Sequence, residues 1–102
     1  MSKKLQVTLK NLTEITPYPA NAKLHSPEQI NHIAKSITEF GFNDPIAIDS
    51  DGEIIAGHGR YLASKLLKLD KVPVIVLDGL TDAQKRAYRL RWFVPWVFNG
   101  WI

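Results

Sequence analysis

Residues 53–67 read Glu-Ile-Ile-Ala-Gly-His-Gly-Arg-Tyr-Leu-Ala-Ser-Lys-Leu-Leu, and no other stretch of the chain restricts its fold as tightly. A short apolar strand ends in Gly57-His58-Gly59-Arg60, and a helix starts at once with no linker between them. The first amides of a helix have no intrahelical acceptor and carry partial positive charge, so such a mouth attracts anions. Glycines let backbone approach an anion closely, and Arg60 offers a planar fork of donors to phosphate oxygens. The turn reads either as a phosphate-binding mouth or as a tight strand-to-helix connection with a surface arginine.

The flanking sequence supplies the elements such a turn joins. Leu5, Val7 and Leu9 alternate with polar residues, as in a half-buried strand. Leu12 and Ile15 lead into Thr16-Pro17-Tyr18-Pro19, where two prolines enforce an irregular segment, and residues 20–25 read as a loop. Ser26, Pro27 and Gln29 spell a capping box with proline in the first turn; Ile30, Ile33, Ala34, Ile37 and Phe40 share one helical face, and Gly41 marks the stop. Residues 45–49 read as a second strand, Asp51-Gly52 as a hairpin turn, and 53–56 as a third strand. A helix is predicted over about 59–68 with Leu62, Ala63, Leu66 and Leu67 inward, a strand over 71–77, and a last helix from Thr81, whose box partner is Gln84. In that helix Ala83, Ala87, Tyr88 and Leu90 are the predicted inward positions. The sum is an α+β domain, with a small mixed β-sheet packed against about three helices.

The chain has 102 residues, which points to one domain. It has no cysteine, so disulfide, thiolate and cysteine–metal chemistry are excluded. No apolar run approaches the roughly 20 residues that span a bilayer, and the N-terminus lacks a signal-peptide core; a cytoplasmic location is expected. The net charge of +3 is compatible with nucleotide or nucleic-acid binding without establishing either. Lys85, Arg86, Arg89 and Arg91 crowd the last quarter against Asp82, a pattern expected of a solvated helix face. Residues 92–102 hold all three tryptophans, and their helical period breaks at Pro95. This aromatic tail is expected to pack on the core or to meet a second copy.

Other chemistry is sparse. His25, His32 and His58 lack the spacing of a metal site and are read as structural or surface residues, except His58, which lies inside the phosphate turn and could donate when protonated. Glu28 suits a first helical turn through the dipole alone. Asp49, Asp51 and Glu53 alternate along the hairpin and read as a polar turn with Glu53 facing solvent, rather than as a loose divalent site. No acidic cluster with the spacing of a metal nuclease is present.

Three stretches together resemble the ParB-like domain, whose fold is shared with sulfiredoxin and a free serine kinase. They are Tyr18-Pro19-Ala20-Asn21-Ala22-Lys23 leading into Ile33-Ala34-Lys35-Ser36-Ile37, then Gly41-Phe42-Asn43-Asp44-Pro45-Ile46, then 53–60. The resemblance covers residues 8–91, so the chain divides into a ParB-like nucleotide/phosphate-binding domain, 1–91, and the tail, 92–102. In look it is nearest the short domains of phage and prophage proteins that often precede a DNA methyltransferase. The resemblance implies that Gly41, Phe42, Asn43, Asp44 and Pro45 lie beside a nucleobase. It implies that Lys23, Gly57, His58, Gly59, Arg60 and Tyr61 hold phosphates, with the N–H groups of Gly59, Arg60 and Tyr61 as donors. CTP or ATP with Mg2+ is the implied ligand.

The departures are specific. Partition proteins of this family read Gly-Glu-Arg-Arg where this chain has Gly57-His58-Gly59-Arg60, and sulfiredoxins place cysteine where His58 stands, which excludes sulfiredoxin activity here. The family's third helix continues with an acidic residue and asparagine; Arg91-Trp92-Phe93 stands there, leaving no carboxylate to complete a magnesium site. The expectation is therefore a nucleotide- or phosphate-binding module in a DNA-associated bacterial or phage protein, in a partition or DNA-modification context, with at most weak NTPase or nuclease activity. DNA would be met through another domain or partner, since the DNA-reading helices of partition proteins lie beyond the family pattern, and a homodimer could form through the tail. The alternatives are a metal-dependent nuclease or NTP-dependent phosphotransferase, and a non-catalytic interaction module.

Overall fold

The computed structural model describes residues 6–19 and 25–93, with backbone alone from residue 90 onward. The elements run β1 (Thr8–Asn11), a 3-10 turn (Leu12–Glu14), α1 (Pro27–Phe40), β2 (Ile46–Ile48), β3 (Ile54–Ala56), α2 (His58–Leu66), β4 (Lys71–Val76) and α3 (Asp82–Phe93). Four strands form one mixed sheet in the order β1-β4-β2-β3. β2 lies parallel to β4, with Ile46 opposite Val74, while β1 against β4 and β3 against β2 are antiparallel. The α+β reading holds, and no helix among the described residues is long and apolar enough to cross a membrane.

The helix starts follow local chemistry. The Ser26 hydroxyl accepts from the Gln29 N–H at 3.2 Å and the Gln29 side chain accepts from the Ser26 N–H at 3.1 Å. Thr81 and Gln84 repeat the box at 3.1 and 2.8 Å. Each reciprocal pair satisfies two amides a helix start leaves orphaned.

The sheet is covered on both sides, so β2 and β3 are buried along their whole length and read as continuous apolar runs. Ile15, Ile46, Ile48, Ile54, Tyr61, Val72 and Val74 make the larger core; Leu12, Phe42, Leu62 and Leu69 pack at its margin. Ala47, Ile55 and Ala56 make the second, under Leu77, Leu80 and Tyr88. Each fully buried Ile or Val adds about 1.5–3 kcal/mol relative to an exposed one.

Several side chains fall elsewhere than the periodicity predicts. Val7 and Leu9 are exposed, because β1 is an edge strand and the alternation there points them away from the core; Leu5 lies outside the described residues. Phe40 and Leu66 are exposed at the last turns of their helices, and α2 buries His58, Gly59, Tyr61, Ala63 and Ser64 instead. Ala83 and Ala87 face solvent, while Tyr88 and Arg89 turn inward.

The cationic face of α3 is not simply solvated. Lys85 Nζ donates to Asp49 Oδ2 at 2.9 Å, and Asp49 Oδ1 accepts the N–H groups of Asp51 and Glu53, both at 2.9 Å. Burial pushes the Asp49 carboxyl up, but the Lys85 hydrogen bond and the two backbone donors outweigh it and hold it below the ordinary aspartate value. Arg89 Nε and Nη2 donate to the Ile54 carbonyl at 3.2 and 3.0 Å, and Nη2 reaches Glu53 Oε1 at 3.3 Å. Glu53 therefore faces α3 rather than open solvent, and the hairpin acidic residues anchor a helix. The Arg89 guanidinium also lies 3.8 Å above the Tyr18 ring, a cation–π contact that ties the 16–19 segment to α3.

Candidate functional site

The strand-to-helix reversal after β3 depends on Gly57, which caps α2 in the left-handed region at φ 95°. A Cβ there would stand 3.2 Å from the Ile46 Cα and 3.1 Å from Arg60 Nη2, so space and backbone both call for glycine. Gly59 serves a different purpose. Its added Cβ would meet Ile33 Cδ1 at 2.7 Å and the His25 ring at 3.2 Å, so the bare backbone lets α1 and the 25–26 segment close over the mouth of α2.

That mouth opens on a cavity of about 340 Å3. Its floor is Ile55, Ala56 and residues 57–60; Ile33, Ser36 and Ile37 of α1 form one wall, Gly41–Asp44 another, and His25 and Arg89 complete the lining. The size falls in the ordinary range for small-ligand sites, roughly 300–1,000 Å3. The first intrahelical amide of α2 is Tyr61 N–H, which donates to Gly57 O at 3.0 Å. The amides that start the helix ahead of it, those of His58, Gly59 and Arg60, are the ones an α-helix leaves for an external acceptor. The Tyr61 N–H, one of the donors the resemblance implies, is thus occupied within the helix, and the Tyr61 ring belongs to the core.

Arg60 reaches across the site. Its Nη2 donates to the Pro45 carbonyl at a long 3.4 Å, and its Nε is buried with no partner among the described residues. Burial disfavours its charged form, and Asp44 opposes that effect. The guanidinium so placed spans the Gly57–Arg60 turn and the Gly41–Pro45 turn. His58 is 4 % exposed, and neither ring nitrogen has a partner among the described residues. It lies parallel to the His25 ring, centroids 6.0 Å apart, with the Tyr61 ring edge-on at 5.9 Å. Burial lowers the pKa of both histidines, and for His58 the nearby His25 adds to the effect.

The structure thus gathers Gly57, His58, Gly59, Arg60, Gly41, Phe42, Asn43 and Asp44 around one cavity, with Pro45 behind it. Lys23 and the tail beyond Phe93 lie outside the described residues. His25, Ser36 and Arg89 line the cavity without having been expected there. No local spacing marks them, because each comes from a different element and meets the turn only through the tertiary fold. Among the described residues no three His, Cys, Asp or Glu stand close enough to hold a metal ion.

The profile of the ParB N-terminal domain matches residues 2–91. The chain is 54 % identical over 86 residues to the ParB-like nuclease domain-containing protein YnaK of Escherichia coli, spanning 99 % of that protein and 84 % of this chain. It is 35 % identical over 71 residues, 69 % of this chain, to a probable chromosome-partitioning protein ParB of Rickettsia bellii, but covers only 25 % of that longer protein. In fold it resembles the C-terminally truncated ParB of Caulobacter crescentus complexed with CTP-gamma-S, at a TM-score of 0.76 and 21 % identity, over 88 % of this chain and 53 % of that one. It also resembles Arabidopsis thaliana sulfiredoxin, at 0.68 and 21 %, over 81 % of this chain and 96 % of that one. At such identities the structural likeness speaks for the fold alone.

Proposed function

The chain belongs to the ParB N-terminal domain family, and from that premise we propose that its cavity binds a nucleotide by the phosphates. One observation carries the reading: the amide-bearing mouth of α2, with His58 and Arg60, opens into the same cavity as the Gly41–Asp44 turn. A phosphate seated against the His58, Gly59 and Arg60 amides receives the helix dipole and several N–H donors, with the Arg60 fork alongside. The base or sugar then extends toward Phe42 and Asn43. Lys23, which lies outside the described residues, is the further positive charge that the family resemblance offers. CTP is the first nucleotide to test, because the Caulobacter relative was crystallised with CTP-gamma-S.

A magnesium ion would enter with the phosphates. Asp44 is the carboxylate the described lining offers it, which suits an ion that keeps most of its ligands as water and phosphate oxygen. Hydrolysis is not part of this reading. DNA engagement in a partition or DNA-modification setting would run through another domain or partner, and a homodimer could use residues 92–102. Calorimetric titration with CTP, ATP and GTP, with and without magnesium, tests the binding reading; silence from all of them overturns it.

The Escherichia coli relative is called nuclease domain-containing, which favours a second reading, nuclease activity, and we infer a metal-dependent form of it. Plasmid cleavage that requires a divalent ion and stops on chelation would establish it. Intact plasmid at high protein concentration would dismiss it.

A further inference from the structure

The geometry points to His25 and His58 as a paired ligand-binding element that takes up one proton when an oxyanion enters the mouth of α2. This rests on the anion-binding reading of the cavity and names the residues and the charge state that complete it.

His58 is more than nine-tenths buried at the first position of α2, yet both of its ring nitrogens lack a partner among the described residues. Buried polar atoms left unmet are rare in folded proteins, and two on one ring call for a partner, a water or an ion, that reaches them as the ring shifts. The His25 ring, parallel to it at 6.0 Å, lies against the backbone of Gly59, the second residue of the same helix. Both histidines line the cavity into which these amides open.

Without an anion, burial favours the neutral rings, and a charge on one opposes a charge on the other. With an oxyanion present, a protonated ring offers a donor on each nitrogen and a compensating charge. The proton comes from solvent and sits on a ring nitrogen; no covalent bond changes. The other groups around the pair are Arg60 and Tyr61 on α2, Asp44 on the loop before β2, and Arg89 on α3. Arg60 and Arg89 disfavour a second cation, which keeps uptake to one proton. Asp44 stands beside Arg60 and offsets it.

Sulfate is the diagnostic probe because it has no proton of its own to exchange near neutral pH. With the full chain, sulfate affinity should weaken by up to about tenfold per pH unit between about pH 6 and about pH 8. Calorimetry in buffers of different ionisation enthalpy should count close to one proton taken up per sulfate. In the unsubstituted protein, the ring Cε1–H signals of His25 and His58 should titrate at higher pH with sulfate than without. His25→Gln and His58→Gln should each reduce the uptake, and the ring titration decides the matter should either variant fold poorly. Flat sulfate affinity with no proton uptake, or CTP binding while sulfate is ignored at every pH, overturns the histidine pair alone. Failure of both sulfate and every nucleotide at about pH 6 overturns the anion pocket and the pair together.

Discussion

Replacing Arg60 with alanine separates binding from folding more sharply than any other change in this site. Among the described residues its guanidinium makes one long hydrogen bond, 3.4 Å to the Pro45 carbonyl, and leaves Nε unpartnered. A contact at the limit of hydrogen-bond geometry stabilises the fold little, about 0.5 kcal/mol at most. Relief of a half-buried charge offsets some of that loss. Stability should therefore fall by less than about 1 kcal/mol, or no more than roughly 4–8 °C in melting temperature for a domain of this size. A phosphate loses far more. A charge-assisted hydrogen bond contributes about 1.5–3 kcal/mol, so nucleotide affinity should drop about 10- to 150-fold. Arg60→Lys keeps the charge but loses the fork and should fall between the two. Calorimetric titration with CTP beside a thermal melt on the same samples reads both quantities. An alanine variant that binds like the parent refutes the phosphate role, and one that no longer folds refutes the weight given to the Pro45 contact.

Arg89→Ala should act in the opposite sense. It orphans the buried Ile54 carbonyl and removes the stack on Tyr18, so urea denaturation should show a loss of about 2–4 kcal/mol. Gly57→Ala should cost about 1–2 kcal/mol from the left-handed backbone alone, with tighter packing on Ile46 adding to it, as measured by the same assay. Asp49 gives a pH signature. Its folded carboxyl titrates below the unfolded value, so its contribution is complete above about pH 4 and is lost as pH falls through the folded pKa. The urea midpoint of the parent should drop across that window, and Asp49→Asn should be weaker near neutrality and flatter in acid.

Much of the fold can be read locally because the signals are local. Ser26–Gln29 and Thr81–Gln84 fix two helix starts within four residues each, and Asp51-Gly52 fixes the hairpin. The mouth of α2 is legible for the same reason, since Gly57, His58, Gly59 and Arg60 are contiguous. The remainder of the cavity is not. Arg89 reads as a surface charge at helical spacing, and only the packing of α3 on β3 shows that it caps the Ile54 carbonyl. Glu53 reads as solvent-facing until Arg89 is placed beside it. His25 and His58 lie on either side of a helix, two strands and a hairpin, and no periodicity relates them. Val7 and Leu9 alternate correctly, but alternation says which residues share a face and not whether anything covers that face.

The charge economy of the site follows from the same particulars. Arg60 makes one long contact with Pro45 and feels the charge of Asp44, while Arg89 is held by Ile54, Glu53 and Tyr18, so Arg89 above all is not wholly available to a ligand. Backbone amides supply direction but only partial charge. A cavity built this way binds a polyanion with less permanent positive charge than its cationic lining suggests, and imidazoles able to charge on demand would supply the difference. Raising salt should then weaken binding less than raising pH does, because amide hydrogen bonds and buried charges are poorly screened whereas the ring proton is lost outright. CTP titrations at two ionic strengths and two pH values compare these effects directly, and a salt effect larger than the pH effect would mean that exposed lysines and arginines, not this cavity, hold the ligand.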